Sequence, residues 1–480
     1  MKKLLSFLLI ILLSCFFTSC SFNKKAIVYI TTSDRQYDLK KLELNIDNSS
    51  HHDNAIIIDP SITYQEIDGF GAALTGSSCY NLSQMDKNER FKFLEETFSP
   101  EKGYGTSYIR VSIGCSDFSL DEYTCCDEPG IENFHLTSEE TKYVIPILKE
   151  ILAINPNIKI LASPWTCPKW MKVNNLIELK PYDSWTGGQL NPSYYQDYAN
   201  YFVKWIKAFQ NYNIPIYSIT IQNEPLNRGN SASLFMGWEE QRDFIKTALG
   251  PTLKKSNLNT KIYVFDHNYN YDRMEDQFQY PLHIYKDEEA SAYITGAAYH
   301  NYGGHKEELL NIHKQAPEKE LVFTESSIGT WNDGRNIEKR LIADMNELGL
   351  GTLNNWCKAV IVWNLMLDTD LGPNRPKGCR TCYGAVDIDI NDYSTIIRNS
   401  HYYMFTHLSA VVKPNAIRIE SKDINDKDLT YCAFKNTDGS FAFVITNNAE
   451  KEKSITIQSK KKAISYSLPP KSIVSFLWDE

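Results

Sequence analysis

Two glutamates stand where a carboxylate does more for chemistry than for stability. Ser218-Ile219-Thr220-Ile221 has the apolar and β-branched composition of a strand buried on both faces. It ends in Asn223-Glu224, and Pro225 stops it. Leu321-Val322-Phe323-Thr324-Glu325-Ser326 repeats the design, with Glu325 at the strand end. Two carboxyls facing one pocket mouth suit the cleavage of a glycosidic bond. One attacks the anomeric carbon; the other protonates the leaving oxygen and then activates water. That retaining route needs carboxyls about 5–5.5 Å apart, whereas about 6.5–9.5 Å leaves room for a water and implies inversion.

The other strand ends are polar or aromatic. One strand supplies Arg110; Ser163-Pro164-Trp165 ends a second, His300-Asn301-Tyr302 a third and Trp363-Asn364 a fourth. Arg110 is expected to hold Glu325 ionised by opposite charge, while partial burial keeps Glu224 protonated. Asn223 is placed to donate to a sugar 2-hydroxyl. Trp165 and Trp363 suit a stacking platform. His300 and Tyr302 complete the set, either as sugar contacts or as structural hydrogen bonders.

These residues need a scaffold that gathers strand ends. From Gln65 to about residue 410, strand patterns (66–74, 107–114, 159–165, 217–223, 261–267, 296–301, 320–325 and 359–365) alternate with helical ones. The helices are expected at 83–97, 137–153, 192–211, 238–255, 305–314 and 334–349, with a short or broken one at 272–290, where Pro281 interrupts. Eight such units predict an α/β fold, a (β/α)8 TIM barrel, whose strand ends converge on one face. An open doubly wound sheet fits less well, since no GxGxxG or P-loop turn stands at any strand-to-helix junction. After residue 412 the pattern turns to alternating strands with an Asp438-Gly439 hairpin signal. The expected division is 1–20 signal peptide, 21–64 N-terminal strands of a β-sandwich, 65–411 catalytic barrel and 412–480 C-terminal β-sandwich.

The bulk properties narrow the partners. A net charge of −9 with no basic stripe argues against nucleic acid. Lys2-Lys3 before the apolar run Leu4 to Phe17 has the anatomy of an export signal. Phe17-Thr18-Ser19-Cys20 resembles a bacterial lipobox, so Cys20 is the expected lipidation site, with Cys15 a weaker alternative. The expectation is an exported lipoprotein, anchored on the periplasmic side or cell surface, touching membrane only through its lipid, and a monomer. Of 11 cysteines, Cys379 and Cys382 form a CxxC. Without a second pair or a histidine at zinc spacing, it reads as a loop disulfide or free thiols before a metal site. The His51-His52-Asp53 cluster reads as a polar turn.

Five motifs occur in order: Gly69-Phe70-Gly71-Ala72-Ala73-Leu74-Thr75, Ala162-Ser163-Pro164-Trp165-Thr166, Gln222-Asn223-Glu224-Pro225, Phe323-Thr324-Glu325-Ser326 and Val362-Trp363-Asn364. Together they resemble glycoside hydrolase family 30, the group of glucosylceramidases, β-xylanases and β-1,6-glucanases. The resemblance implies a barrel fused to a β-sandwich, a retaining mechanism, and neither metal nor cofactor. It makes Glu224 the acid/base and Glu325 the nucleophile, with Asn223, Trp165 and Trp363 at sugar-contacting positions and Tyr302 beside the nucleophile. It also leads one to expect, in a glucosylceramidase, an Asp in the first strand-to-helix loop, where this chain has Gly76. Loss of that end-stop, with Gly372-Pro373-Asn374 and the CxxC loop, favours the bacterial β-1,6-glucanase branch acting on a β-glucan. Glucosylceramidase or exo-β-glucosidase, β-xylanase and a catalytically dead sugar-binding lipoprotein are the alternatives.

Overall fold

The computed structural model describes residues 25–47, 55–269, 274–422, 424–460 and 462–479. Cys15, Cys20 and the His51-His52-Asp53 cluster lie outside the described residues. Eight parallel strands form the central sheet: Gly69–Ala72, Tyr108–Ile113, Lys159–Pro164, Ser218–Thr220, Lys261–Asn268, Gly296–His300, Glu320–Glu325 and Cys357–Val362. Each pairs with its sequence neighbour, and the eighth pairs with the first, Ala359 opposite Gly69. Between strands one and two, Ser107 N–H donates to the Phe70 carbonyl at 3.1 Å and Leu74 N–H to that of Arg110 at 2.8 Å, so the barrel closes. Closure is tight at Gly71, where a Cβ would fall 1.9 Å from the Tyr108 carbonyl oxygen.

Inward-pointing side chains fill the barrel. Tyr108, Leu161, Tyr263, Ala298, Val322, Ala359 and Ile361 form a separate fully buried cluster inside it, which makes it a packed core and not a pore. The strands read as near-continuous apolar runs because their outer faces are covered by helices.

Two helical expectations are refined. The stretch expected as one helix at 83–97 is two, Gly76–Gln84 and Lys87–Phe98. Asp86 separates them by capping the second, its carboxylate accepting from Asn88 N–H at 2.8 Å. The helix Ser400–Ser409 was not foreseen: all ten of its residues are buried, so it has no polar face to give a period. It joins the two layers, His407 lying 2.9 Å from both Ser475 Oγ and Thr31 Oγ1.

The second unit is a nine-stranded sheet built from both ends of the chain. Its long strand Ile56–Glu66 pairs in parallel with Lys453–Ser459 at one end and antiparallel with Ile417–Ser421 further along. Apolar residues of alternate register, among them Val28, Ile30, Phe443, Ile445, Val474 and Phe476, make its own core. Among the described residues no helix is long and apolar enough to cross a membrane.

Candidate active site

The strand ends leave regular geometry where the polar residues begin. Glu224, Phe265, Asp266 and Asn364 all have left-handed backbones, with φ of 46°, 72°, 60° and 62°. Each such non-glycine residue costs about 1–3 kcal/mol, which surrounding contacts must offset. The register shifts between Phe265 and His267 against strand six, and again between Tyr299 and His300 against strand seven. These irregularities turn Asp266 and Thr324 toward the barrel axis, where Thr324 Oγ1 donates to Asp266 Oδ1 at 2.6 Å.

Arg110 is the hub. Fully buried, it donates to Glu325 Oε2 at 2.5 Å, Asp266 Oδ2 at 2.8 Å, Asn223 Oδ1 at 2.8 Å and Ser163 Oγ at 3.2 Å. Its guanidinium lies 5.0 Å from the Trp165 ring centroid and 5.4 Å from that of Trp363. The planar fork serves several acceptors at once, which a lysine ammonium does not. Because Arg110 occupies the Asn223 carbonyl oxygen, the amide hydrogens of Asn223 remain as its donors.

Glu325 is held at both oxygens: Tyr302 OH donates to Oε1 at 3.1 Å, opposite Arg110. Glu224 receives Asn227 and Asn230 amides on Oε2, each at 2.7 Å, and has His300 Nδ1 at 3.3 Å from Oε1. His300 Nε2 is 3.1 Å from Asp266 Oδ1. An unbroken polar chain therefore runs from Glu224 through His300, Asp266 and Arg110 to Glu325.

This network sets a protonation order different from the expected one. Burial pushes the Glu224 carboxyl up, but the hydrogen bond from His300, the nearby His267 and His300 imidazoles, and the Asn227 amide outweigh it, so it falls to about 2. Burial lowers His300, yet Glu325, Asp266 and Glu224 around it raise it to about 9. The proton thus rests on His300, one hydrogen bond from Glu224. Glu325 is shifted up: its burial and the Glu224 charge exceed the pull of His300 and Arg110. The Arg110 ion pair is present as expected, but it does not dominate. Opposed shifts on groups that share a proton mark an acid/base site.

Glu224 and Glu325 line one open cavity of about 590 Å³, with Asp117, Tyr302, Trp331 and Trp363 in its wall. Trp165 is placed differently from expectation. It is 1 % exposed and stacks on Trp363 at 5.0 Å between centroids, so it backs Arg110 and Trp363 and offers no free face. The most exposed aromatic in the cavity wall is Trp331, 52 % exposed. It sits just beyond strand seven, outside any strand-end pattern.

Asp117, Asp266, His267, Asn227 and Asn230 were not singled out from sequence. Asp266-His267 ends strand five as Glu224 ends strand four, so the same rule reaches them. Asp117 lies in the loop after strand two, which carries no periodic signal. Burial, Cys379 and Glu325 push its carboxyl well above the usual range, and its Oδ1 is buried without a protein partner.

The argument from Gly76 is also corrected. Gly76 does not line the cavity; a Cβ there would meet Glu139 Oε1 at 1.9 Å. Besides Glu224 and Glu325, the acidic side chain in the cavity wall is Asp117, from the loop after strand two. Glu224, His267 and His300 offer one ligand atom each within 4.8 Å of one another. Two imidazoles and a carboxylate suit a first-row transition ion, but the Glu224 and His300 atoms already serve the polar chain.

Comparisons with known proteins agree with this geometry. The glycosyl hydrolase family 30 TIM-barrel domain matches residues 67–412, and the glycosyl hydrolase family 30 beta sandwich domain residues 415–476. The solved structure of the endo-β1,6-glucanase BT3312 is 62 % identical, with a TM-score of 0.93 over 95 % of this chain and 99 % of that one. Endo-1,6-β-D-glucanase BGN16.3 of Trichoderma harzianum is 32 % identical over 74 % of this chain and 71 % of its own. Putative glucosylceramidase 4 of Caenorhabditis elegans is 30 % identical over 89 % and 83 %. With both domain types matched in order and a carboxylate pair at the barrel mouth, the chain is a glycoside hydrolase that belongs to glycosyl hydrolase family 30.

Proposed function

We propose that the protein is a retaining endo-β-1,6-glucanase in which Glu325 is the nucleophile and Glu224 the acid/base. The observation that carries the reading is the shared cavity of the two carboxylates in a chain 62 % identical to a protein named for that activity. Tyr302 and Arg110 grip the two oxygens of Glu325 and aim its carboxylate at the anomeric carbon. Glu224 takes a proton across the His300 contact, delivers it to the departing glycosidic oxygen and then removes one from the incoming water. Asn223, oriented by Arg110, donates to the 2-hydroxyl of the reacting glucose. No step calls on a metal or cofactor.

The test is product analysis. Incubation with linear β-1,6-glucan yields a ladder of oligosaccharides from the earliest times under this reading. Release of glucose alone, or turnover of glucosylceramide in preference to glucan, favours the second reading, which the similarity to the nematode glucosylceramidase supports. Xylan hydrolysis contradicts both. The N-terminal motif supports export and lipid anchoring at Cys20; the Cys20→Ala variant is then released from membranes, and its complete retention there overturns the anchor.

A further inference from the structure

The CxxC motif is not used by the mechanism, yet it stands in the wall of the catalytic cavity. Cys379 and Cys382 both line that cavity, and their Sγ atoms are 2.8 Å apart. Two further contacts tie them to it. The strand Cys382–Tyr383 pairs with Ile328–Gly329, the segment that follows Glu325. On the opposite wall, Cys379 N–H donates to the Asp117 carbonyl at 3.2 Å. Beside that pairing, the Ser327 hydroxyl meets Tyr302 OH at 3.0 Å, and Tyr302 donates to Glu325. The dithiol is thus tied to the nucleophile through the paired segment that follows Glu325 and the Ser327–Tyr302 contact.

We infer that Cys379 and Cys382 are a redox-active dithiol that closes to a disulfide at the cavity wall and thereby changes turnover of the glucan. The contact between the sulfurs permits bond formation with little backbone movement, since a disulfide needs about 2.05 Å between them. Cys379 is the attacking group. The hydrogen bond from Cys382 stabilises its thiolate and pulls its thiol down to about 6. The buried Cys79, Cys115, Cys167, Cys357 and Cys432 are all pushed up by burial and are poor nucleophiles by comparison. The oxidant is a small-molecule disulfide. The Cys379 thiolate attacks one of its sulfurs and releases one thiolate. Cys382, losing its proton, then attacks Cys379 Sγ and releases the second. Two protein thiols are oxidised and one external disulfide is reduced to two thiols.

The direction of the effect follows from charge. The reduced pair adds a thiolate to a wall that already holds Asp117, Glu224 and Glu325. Added negative charge there favours a protonated Glu325, which is no nucleophile. Oxidation removes the charge. The consequence for turnover rests on the proposed glucanase reading; the chemistry of the pair does not.

The experiment treats the whole protein with excess glutathione disulfide or with dithiothreitol, then reads intact mass, peptide map and kinetics on β-1,6-glucan. The expected result is loss of two hydrogens on the peptide carrying both cysteines, reversed by dithiothreitol, with kcat/KM roughly threefold or more higher in the oxidised form. Cys379→Ser and, as a second variant, Cys379→Ala lose this redox response. Equal alkylation of both thiols before and after oxidant overturns the inference, as do identical kcat and KM in the two states. An enzyme that turns over no β-1,6-glucan in either state overturns the glucanase reading instead, and the mass shift still decides the dithiol.

Discussion

The two ends of the barrel both carry carboxylates beside cations, and they use them differently. At the N-terminal end, Glu320 accepts from Lys261 at 2.9 Å, Lys358 at 2.8 Å and Tyr263 OH at 2.6 Å. Asp68 meets Lys159 at 2.7 Å and Tyr217 OH at 3.2 Å. Those carboxylates are surrounded by donors from other strands and strand starts of the barrel. Burial raises Glu320, but the Lys261 and Lys358 bonds prevail and hold it below the usual range. At the C-terminal end one buried arginine is shared among Asp266, Asn223 and Glu325, and two glutamates face an open cavity. One arrangement satisfies charge; the other leaves carboxylates in competition for a proton. The lesson is that an acidic cluster points to function through what it faces, more than through how many charges it contains.

Substitutions at the two ends should separate these roles. Glu325→Ala is expected to cost about 10^4-fold or more in kcat while the protein stays folded. Turnover near the unaltered level would remove Glu325 from the mechanism. Glu224→Gln should lower kcat on unactivated glucan by about 10^2–10^4-fold, and far less on aryl glycosides whose leaving group needs no proton; equal losses on both would contradict the acid role. Glu320→Gln, at the other end, should lower stability by about 1–3 kcal/mol in denaturant titration and leave kcat/KM within about twofold. A large loss of activity with unchanged stability would erase the distinction between the ends.

A smaller effect concerns pH. Glu224 lies at about 2 in the folded chain against 4.5 ordinarily, so its contribution to stability is full above 4.5 and is lost as pH falls toward 2. His300 lies at about 9 against 6.5, so its contribution is full below 6.5 and is lost as pH rises through 9. Together they favour greatest stability between pH 4.5 and 6.5. Glu224→Gln removes the first contribution and weakens the second, so its Tm should vary less with pH than that of the unaltered protein. An unchanged Tm–pH curve would show that the pair does not couple to folding.

The eight-stranded barrel was legible because its strands are buried on both faces and its helices on one, so each kept its own period. Ser400–Ser409 escaped notice because it is buried all round. The carboxylates at Glu224 and Glu325 were legible because each breaks an apolar run at its end. Asp266 obeys the same rule at strand five and was overlooked. Asp117 and Trp331 lie in loops, where only the folded chain brings them to the cavity. Protonation was the least legible property. It depends on His300 and Asn227 meeting the same carboxylate from different places in the chain, and no local pattern records that.

The central claim is that Glu325 bonds covalently to the sugar. A β-1,6-linked oligoglucoside with a 2-deoxy-2-fluoro reacting glucose and an activated leaving group slows both steps and lets the intermediate accumulate. Mass spectrometry of the proteolysed enzyme should then find the fluoroglycosyl adduct on the peptide that contains Glu325, and Glu325→Ala should yield none. An adduct on Glu224, or turnover of the natural glucan with inversion at the anomeric carbon, would contradict the account.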